Sequence, residues 1–547
     1  MQSRWNETDA NAFARSYELT ELGLRVYSSR LLGQERTLVL HGGGNTSVKT
    51  RITNIFGEHE DVMFVKGSGS DLAEVRGQDF AGIRYHEARR LVELDTLDSD
   101  AMAAALIGMT TRPGPKASIE TILHAILPWP YVEHTHADAI LALTNTASGA
   151  RIIGEVFGEC APLVPFRSSG FELAKACDAA YRTKATQRTI GLILDHHGAI
   201  AFGNSARESY ENMLRLVTMA EDYLKARHAW QMPRDNAPFA FDRLRAAQLR
   251  ARLCRTAGFP LLLSRQDDPT LAAFARRNDL AAITQEGPAT PQHAVFIKRE
   301  PLVGLDVETY AARYARQVER VFPGRTLEEL GLDPAPRVVI DPDLGVWVAA
   351  VNAHYLRFTS EILRQDIEIK TRANGHDRYA GLPVADLLHA EIHYGGFERA
   401  LRASGRPLLG ECAAILTSAE EPQLAQALSA AGAAVRQFDR KRDVAMQLDE
   451  VVQQLGGVDV LIVEAGLLSA CDVIAPLLQL SMRGGRLVLL GGSDPALAAS
   501  RASGIAVARI EGAAPPLDGA QARLAVQTCD PPVTVQAPHV VLTKTAL

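Results

Sequence analysis

His134 and His136 stand two residues apart at the end of an apolar run. On a β-strand, residues i and i+2 point to one face, so both imidazoles can reach one cation. A second apolar run ends in Asp195-His196-His197-Gly198, where one of two adjacent histidines can point the same way. Glu120, at the start of a helical pattern upstream, offers a carboxylate. Three imidazoles and a carboxylate suit Zn²⁺ or a similar divalent ion. Unrelated core or surface histidines would give the same letters, so the spacing names a candidate and no more. Two glycine-bearing stretches, Gly43-Gly44-Asn45-Thr46-Ser47 and Gly67-Ser68-Gly69-Ser70, add backbone N–H groups and hydroxyls. Glycine lets such a backbone nest approach an anion such as phosphate, although most glycine-rich turns are only turns.

Periodicity suggests the elements that must position these groups. A helix is expected over 18–32, and short strands over 37–40 and 62–65 would each lead into one of the glycine stretches. Ser118 is expected to cap a helix over 119–126; 131–144 begins as a strand and turns helical. A buried strand is expected over 189–197 and a long amphipathic helix over 205–229, before a Pro-containing linker at 232–238. Further on, helices are expected over 241–257, 269–277 and 307–321, mixed with short strands. From about 408 the pattern becomes strand, helix, strand, helix, strand, helix, strand. Its strands are 412–416, 434–438, 458–463 and 486–490, with helices 421–431 and 444–455 between the first three. That alternation is the signature of a doubly wound parallel sheet. Three domains follow: 1–235, 236–405 and 406–547.

Several runs taken in order resemble one family. They are GGGNTSVK (42–49), VKGSGSDL (65–72), PKASIETILHAILP (115–128), EHTHADAILAL (133–143) and LDHHGAIAFG (194–203). Together they are similar to the class II aldolase/adducin family over some 200 residues. The resemblance implies an α/β/α sandwich with a mostly antiparallel central sheet. It implies His134, His136 and His197 as zinc ligands and Glu120 as the acid/base that contacts the metal at rest. It also implies a phosphate cradle of Gly44, Asn45, Ser68, Gly69 and Ser118. Two departures stand out. Ile119 replaces the family's second serine, and residues 150–165, where a proton-donating tyrosine is expected, contain Phe157 but no tyrosine. Another residue, or one from a neighbouring subunit, would have to serve.

The middle segment carries a second resemblance. GPATPQHAVFIKREPLVG (287–304) and DPAPRVVIDPDLGVW (333–347) resemble the connecting region of bacterial bifunctional proteins. In these, of the rhamnulose-1-phosphate aldolase/short-chain dehydrogenase type, an aldolase precedes a dehydrogenase. The C-terminal third then departs from the dehydrogenase pattern. A T-G-x-x-x-G-x-G turn is expected after the first strand, with glycines that admit pyrophosphate. The chain instead has Thr417-Ser418-Ala419-Glu420-Glu421-Pro422-Gln423-Leu424, with Glu420 and Glu421 expected in the first helical turn. Glu464-Ala465-Gly466 is a remnant of the usual N-A-G, and no tyrosine follows Tyr394 to serve as proton donor. A degenerate Rossmann-like domain kept for structure or assembly, without NAD or NADP, is the expectation.

Composition narrows the classes. With 58 Lys+Arg against 64 Asp+Glu the formal charge is -6, so no polycationic nucleic-acid footprint is present. Residues 458–480 are apolar but broken by Asp459, Glu464 and Asp472, which argues against a membrane span. The first 13 residues carry Arg4, Glu7 and Asp9 and no apolar run, so no secretory signal is read there. Six cysteines without C-x-x-C spacing (Cys160, Cys177, Cys254, Cys412, Cys471 and Cys529) read as reduced, mostly buried thiols of a cytoplasmic protein. The expectation is a zinc-dependent lyase, a homo-oligomer, acting on a phosphorylated ketose or related hydroxy-ketone. An isomerase or dehydratase on the same ligands is the alternative enzyme, and a non-catalytic scaffold the alternative from another class. Adducin-like members lack the metal histidines, so their presence here weighs against the scaffold.

Overall fold

Alternating β-branched and polar residues make Asn45–Thr53 a strand, β1, whose first four residues are buried. The computed structural model describes residues 1–464, 466–467, 471–490 and 506–510. In it β1 belongs to a seven-stranded sheet with β2 (His59–Lys66), β3 (Phe80–Ile83), β4 (Tyr131–Thr135), β5 (Leu163–Val164), β6 (Gly191–Leu194) and β7 (Gly198–Gly203). The order is β3-β2-β1-β4-β7-β6-β5, antiparallel throughout except for β5 beside β6. Successive residues of β7 feed opposite cores. Ala199 and Ala201 pack with Met213 and Val217 of the helix Ala206–Ala226. Ile200 and Phe202 pack with Ile122 of the helix Thr121–Ile126 and Leu173 of the helix Phe171–Lys184. Helices on both faces of a mostly antiparallel sheet give the α/β/α sandwich expected above.

The chain divides into two compact units. The first is Met1–Pro233 with two later stretches, Glu286–Gln292 and Gln365–Asp386; the second is Arg234–Gln285, His293–Arg364 and the chain from Leu387 onward. The added stretches are built into the first unit. Ala289 and Ile369 join the apolar core around Ile140 and Leu143. Asn145 Nδ2 donates to Ala289 O at 2.9 Å, and Tyr379 donates its hydroxyl to Gly287 O at 2.9 Å.

Within the second unit lie a four-stranded and a five-stranded sheet. The first comprises β8 (Leu262–Arg265), β9 (Leu302–Val303), β10 (Val338–Asp341) and β11 (Gly345–Ala350), in the order β8-β11-β10-β9. The other comprises β12 (Cys412–Leu416), β13 (Ala434–Gln437), β14 (Val460–Glu464), β15 (Arg486–Leu490) and β16 (Ala506–Ile510). Its order is β13-β12-β14-β15-β16 and every pair is parallel, the arrangement of a doubly wound sheet. Strands β12 and β15 are buried along their whole length, as parallel strands covered on both faces are.

Two local expectations are corrected. Residues 37–40 are a turn at Thr37 and Leu38 followed by irregular backbone, not a strand, although Leu38, Val39 and Leu40 are buried. Leu38 N–H donates to Glu35 O and Gly43 N–H to Leu40 O, closing turns where a ladder was expected, while Thr37 O accepts from Asp138 N–H. The first glycine stretch therefore precedes its strand, β1; only the second follows one, β2. The helix expected from 119 begins at Thr121, with Glu120 at its N-cap position. Cys177, Cys254 and Cys412 are buried free thiols and Cys160 is half-buried; the Cys471 side chain and Cys529 lie outside the described residues. Among the described residues no helix is long and apolar enough to cross a membrane.

Candidate metal centre

Strand pairing brings the chemistry-bearing segments together. Asn45, the first residue of β1, lies opposite His134 of β4, and Ile200 of β7 lies opposite His134 on the other side. Gly44 sits at φ +61, where a Cβ would stand 2.6 Å from His134 O, so only glycine lets this loop close on β4. Gly198 follows His197 at φ +146, and a Cβ there would stand 2.1 Å from Thr135 O. The β6–β7 turn is thereby pressed against β4 and delivers His197 to the other two histidines. Its neighbour His196 meets the Phe166 ring edge-on, so of the adjacent pair it is His197 that joins the cluster.

The three imidazole rings stand 4.8, 4.9 and 5.1 Å apart between centroids, and one ligand nitrogen from each lies within 4.8 Å of the others. His134 Nδ1 donates to Ala199 O at 3.0 Å, and His136 Nδ1 donates to Gln292 Oε1 at 2.7 Å. These bonds place the proton on Nδ1 of both rings and leave the Nε2 lone pairs facing each other at 3.1 Å. Two such acceptors repel unless a cation lies between them; nitrogens sharing one tetrahedral ion stand about 3.3 Å apart. Glu120 Oε2 lies 3.6 Å from His134 Nε2, and Oε1 lies 3.4 Å from His197 Nε2. Three nitrogens and one carboxylate oxygen around a common point could hold a divalent metal ion.

Burial opposes a charge on Glu120, but the surrounding imidazoles and the Asn45 amide outweigh it and hold the carboxyl down, to about 2. Burial lowers His197 to about 4 and His136 well below its usual value, so both are neutral imidazoles. Neutral nitrogens beside an ionised carboxylate are the protonation states that a metal ligand set requires.

Behind Glu120 runs a chain that the sequence reading did not find. Ser47 Oγ donates to His124 Nδ1 at 2.8 Å, His124 Nε2 donates to Asn45 Oδ1, and Asn45 Nδ2 donates to Glu120 Oε2 at 2.6 Å. Burial keeps His124 neutral, its value lowered to about 3. The signal was its place four residues after Glu120, one helical turn on.

The five residues expected to cradle phosphate converge beside this centre. Asn45 Nδ2 also donates to Ser118 Oγ at 3.2 Å, which in turn accepts the Glu120 N–H at 3.2 Å. Ser68 N–H donates to Lys116 O at 3.0 Å, and a Cβ on Gly42 would stand 3.1 Å from Gly69 O. Gly44, Asn45 and Ser118 are buried; Ser68 and Gly69 are exposed. Lys66, also missed, ties the two loops together: its Nζ donates to Gly42 O at 3.0 Å and to Ser70 O at 2.6 Å. Ile119 packs on the apolar core, and Phe157 is buried in the opposite one, so neither supplies a hydroxyl.

In the parallel sheet the expected helix turn is also corrected. The helix is Pro422–Ala430, with Glu421 at the N-cap position and Glu420 before it, because Pro422 is preorganised for the first helical position. Neither glutamate lies in the first turn. A third carboxylate fills the loop: Glu464 Oε2 accepts the Ser418 N–H at 2.7 Å. Ala465, of the expected N-A-G remnant, lies outside the described residues.

Residues 25–224 match the class II aldolase and adducin N-terminal domain, and residues 241–400 match the second domain of class II aldolases. The chain belongs to the class II aldolase family. Among its curated relatives is the uncharacterized oxidoreductase YuxG of Bacillus subtilis (strain 168), 27% identical over 391 residues. That match covers 67% of this chain and 56% of the relative's length. Among solved structures, the N-terminal class II aldolase domain of a protein from Thermoplasma acidophilum is 36% identical and has a TM-score of 0.37. It covers 41% of this chain and 99% of that one. The L-fuculose-1-phosphate aldolase from Thermus thermophilus is 17% identical, with a TM-score of 0.24, covering 37% of this chain and 95% of that one.

Proposed function

We propose that this chain is a zinc-dependent lyase that breaks a carbon–carbon bond in a phosphorylated ketose or related hydroxy-ketone. The observation that carries this reading is the convergence of His134, His136 and His197 on one point faced by the ionised Glu120. Zn²⁺ in that position would act as a Lewis acid on substrate oxygens. Glu120 takes the proton from the hydroxyl whose carbon becomes the aldehyde. The O–H electrons form the new C=O as the C–C bond breaks, and the bond's electron pair passes to the carbon beside the ketone, to which Glu120 returns the proton it took. Asn45 fixes which carboxylate oxygen is free for this exchange. The glycine loops, with Ser68, Ser118 and Lys66, hold the phosphate end and so set which bond lies beside Glu120.

We take the domains to be 1–235, 236–405 and 406–547, in a cytoplasmic homo-oligomer, with the C-terminal domain binding neither NAD nor NADP. The Bacillus subtilis relative is called an oxidoreductase, but three glutamates here crowd a loop that lacks the glycines a pyrophosphate needs. The test of the lyase reading is to incubate the purified protein and Zn²⁺ with a panel of ketose phosphates and assay for a free aldehyde. Release from at least one member supports it; no release from any, with zinc bound, counts against it.

A further inference from the structure

The segment that carries His136 is held by residues far along the chain. Gln292 is the second residue of the helix Pro291–Ile297 and lies in the stretch 241–400 matched by the second class II aldolase domain, yet it packs in the first compact unit. Its Oε1 accepts from His136 Nδ1 at 2.7 Å, and its Nε2 reaches Leu40 O at 3.4 Å. It also fills the space over the first glycine loop, since a Cβ on Gly43 would stand 2.8 Å from that same Oε1. Two residues beyond His136, Asp138 Oδ1 accepts from Gln365 Nε2 at 2.7 Å, and Arg372 stands 3.7 Å from its other oxygen. Both stretches that complete the first unit therefore hold the segment that follows β4, one at His136 and the other at Asp138, the first residue of the next helix.

We infer that Gln292 is a positioning residue for the divalent ion, so that the second aldolase domain completes the metal site of the first. The inference rests on the metal-centre reading given above. An imidazole ligand needs its remote nitrogen bonded to an acceptor, or the ring swings and the wrong tautomer turns its N–H toward the ion. Ala199 O supplies that acceptor for His134 from the adjacent strand, at no entropic cost. His136 lies just past the end of β4, beyond the ladder, and takes its acceptor from a side chain 156 residues away. An uncharged amide fixes the tautomer without adding a second negative charge beside Glu120.

The test uses Co²⁺ as the probe on the full chain, following its visible absorption bands and its dissociation constant by competition with a coloured chelator. Gln292→Leu removes the acceptor at similar volume, and its Co²⁺ affinity is expected to fall about 10- to 100-fold with altered bands. Gln292→Glu retains an acceptor and is expected to bind at least as tightly as the wild type. Wild-type affinity and bands in Gln292→Leu overturn the inference and leave the metal centre standing. A loss of affinity in Gln292→Glu also overturns it, and this arm stands even where the leucine variant fails to fold. Failure of the wild type to take up Co²⁺ at all brings down the metal-centre reading itself.

Discussion

Asn45 Nδ2 stands 2.6 Å from Glu120 Oε2, and the bond turns the other oxygen, Oε1, to within 3.4 Å of His197 Nε2. Asn45 is itself fixed by His124, whose ring nitrogens are both engaged. A buried carboxylate held this way by a polarised chain has one orientation. It presents an ionised oxygen where a substrate hydroxyl beside the three histidines would lose its proton.

Glu120→Gln keeps the shape and removes the base. Turnover is expected to fall about 10²- to 10⁴-fold while stoichiometric metal is retained. Steady-state kinetics beside elemental analysis of the same preparation decide this; an unchanged kcat reassigns the base.

His134→Ala and His136→Ala are each expected to lose bound metal while the fold survives. The rings make few bonds other than those at Nδ1, and the strands that carry them stay paired. Circular dichroism melting and metal content report the two effects separately. Full metal occupancy in the double variant rules out the centre.

Much of this site was legible in the sequence, because the two-residue period of β4, carried one residue past its end, puts His134 and His136 on one side. Most of the parallel sheet was legible too: its four expected strands and two helices fall within two residues of those observed, from short apolar runs between turn signals, while β16 was not expected. The errors came where local pattern and tertiary bonding disagree. Residues 37–40 have the apolar content of a strand, but Asp138 and Gly43 claim their carbonyls. Residues 45–53 are hard to read as a strand because their alternation is between Thr, Val, Ile and polar side chains, with no apolar run to mark it. Gln292 gave no local signal at all, since its role depends on a contact spanning 156 residues.

Lys66 gives the site a pH dependence. Burial pulls its value down to about 8, against the carboxylates Asp71, Glu120 and Asp79, which favour the charge. The ammonium between the two loops is therefore present below about pH 8 and lost above it, so KM for a phosphorylated substrate is expected to rise as pH passes that value. Lys66→Met is expected to show a high KM that does not change over the same range. A pH profile for KM in the variant matching the wild type's would remove Lys66 from phosphate binding.

Binding of NAD or NADP by this chain is expected to be absent. Glu464 already occupies the Ser418 N–H, and Glu420 and Glu421 add negative charge where a pyrophosphate would approach. Calorimetry with NAD and NADP at millimolar concentration should give no saturable heat. Saturable binding of either would show that the domain retains a dinucleotide site.

On the lyase reading bond cleavage depends on an ion held by His134, His136 and His197, with Glu120 beside it as the base. That dependence is tested most directly by titrating Zn²⁺ into chelator-stripped protein while following aldehyde release from the best ketose phosphate of the panel. No release is expected without metal, and with it a rate that climbs and levels off at one ion per chain. Aldehyde release that proceeds undiminished in the metal-free protein would contradict it.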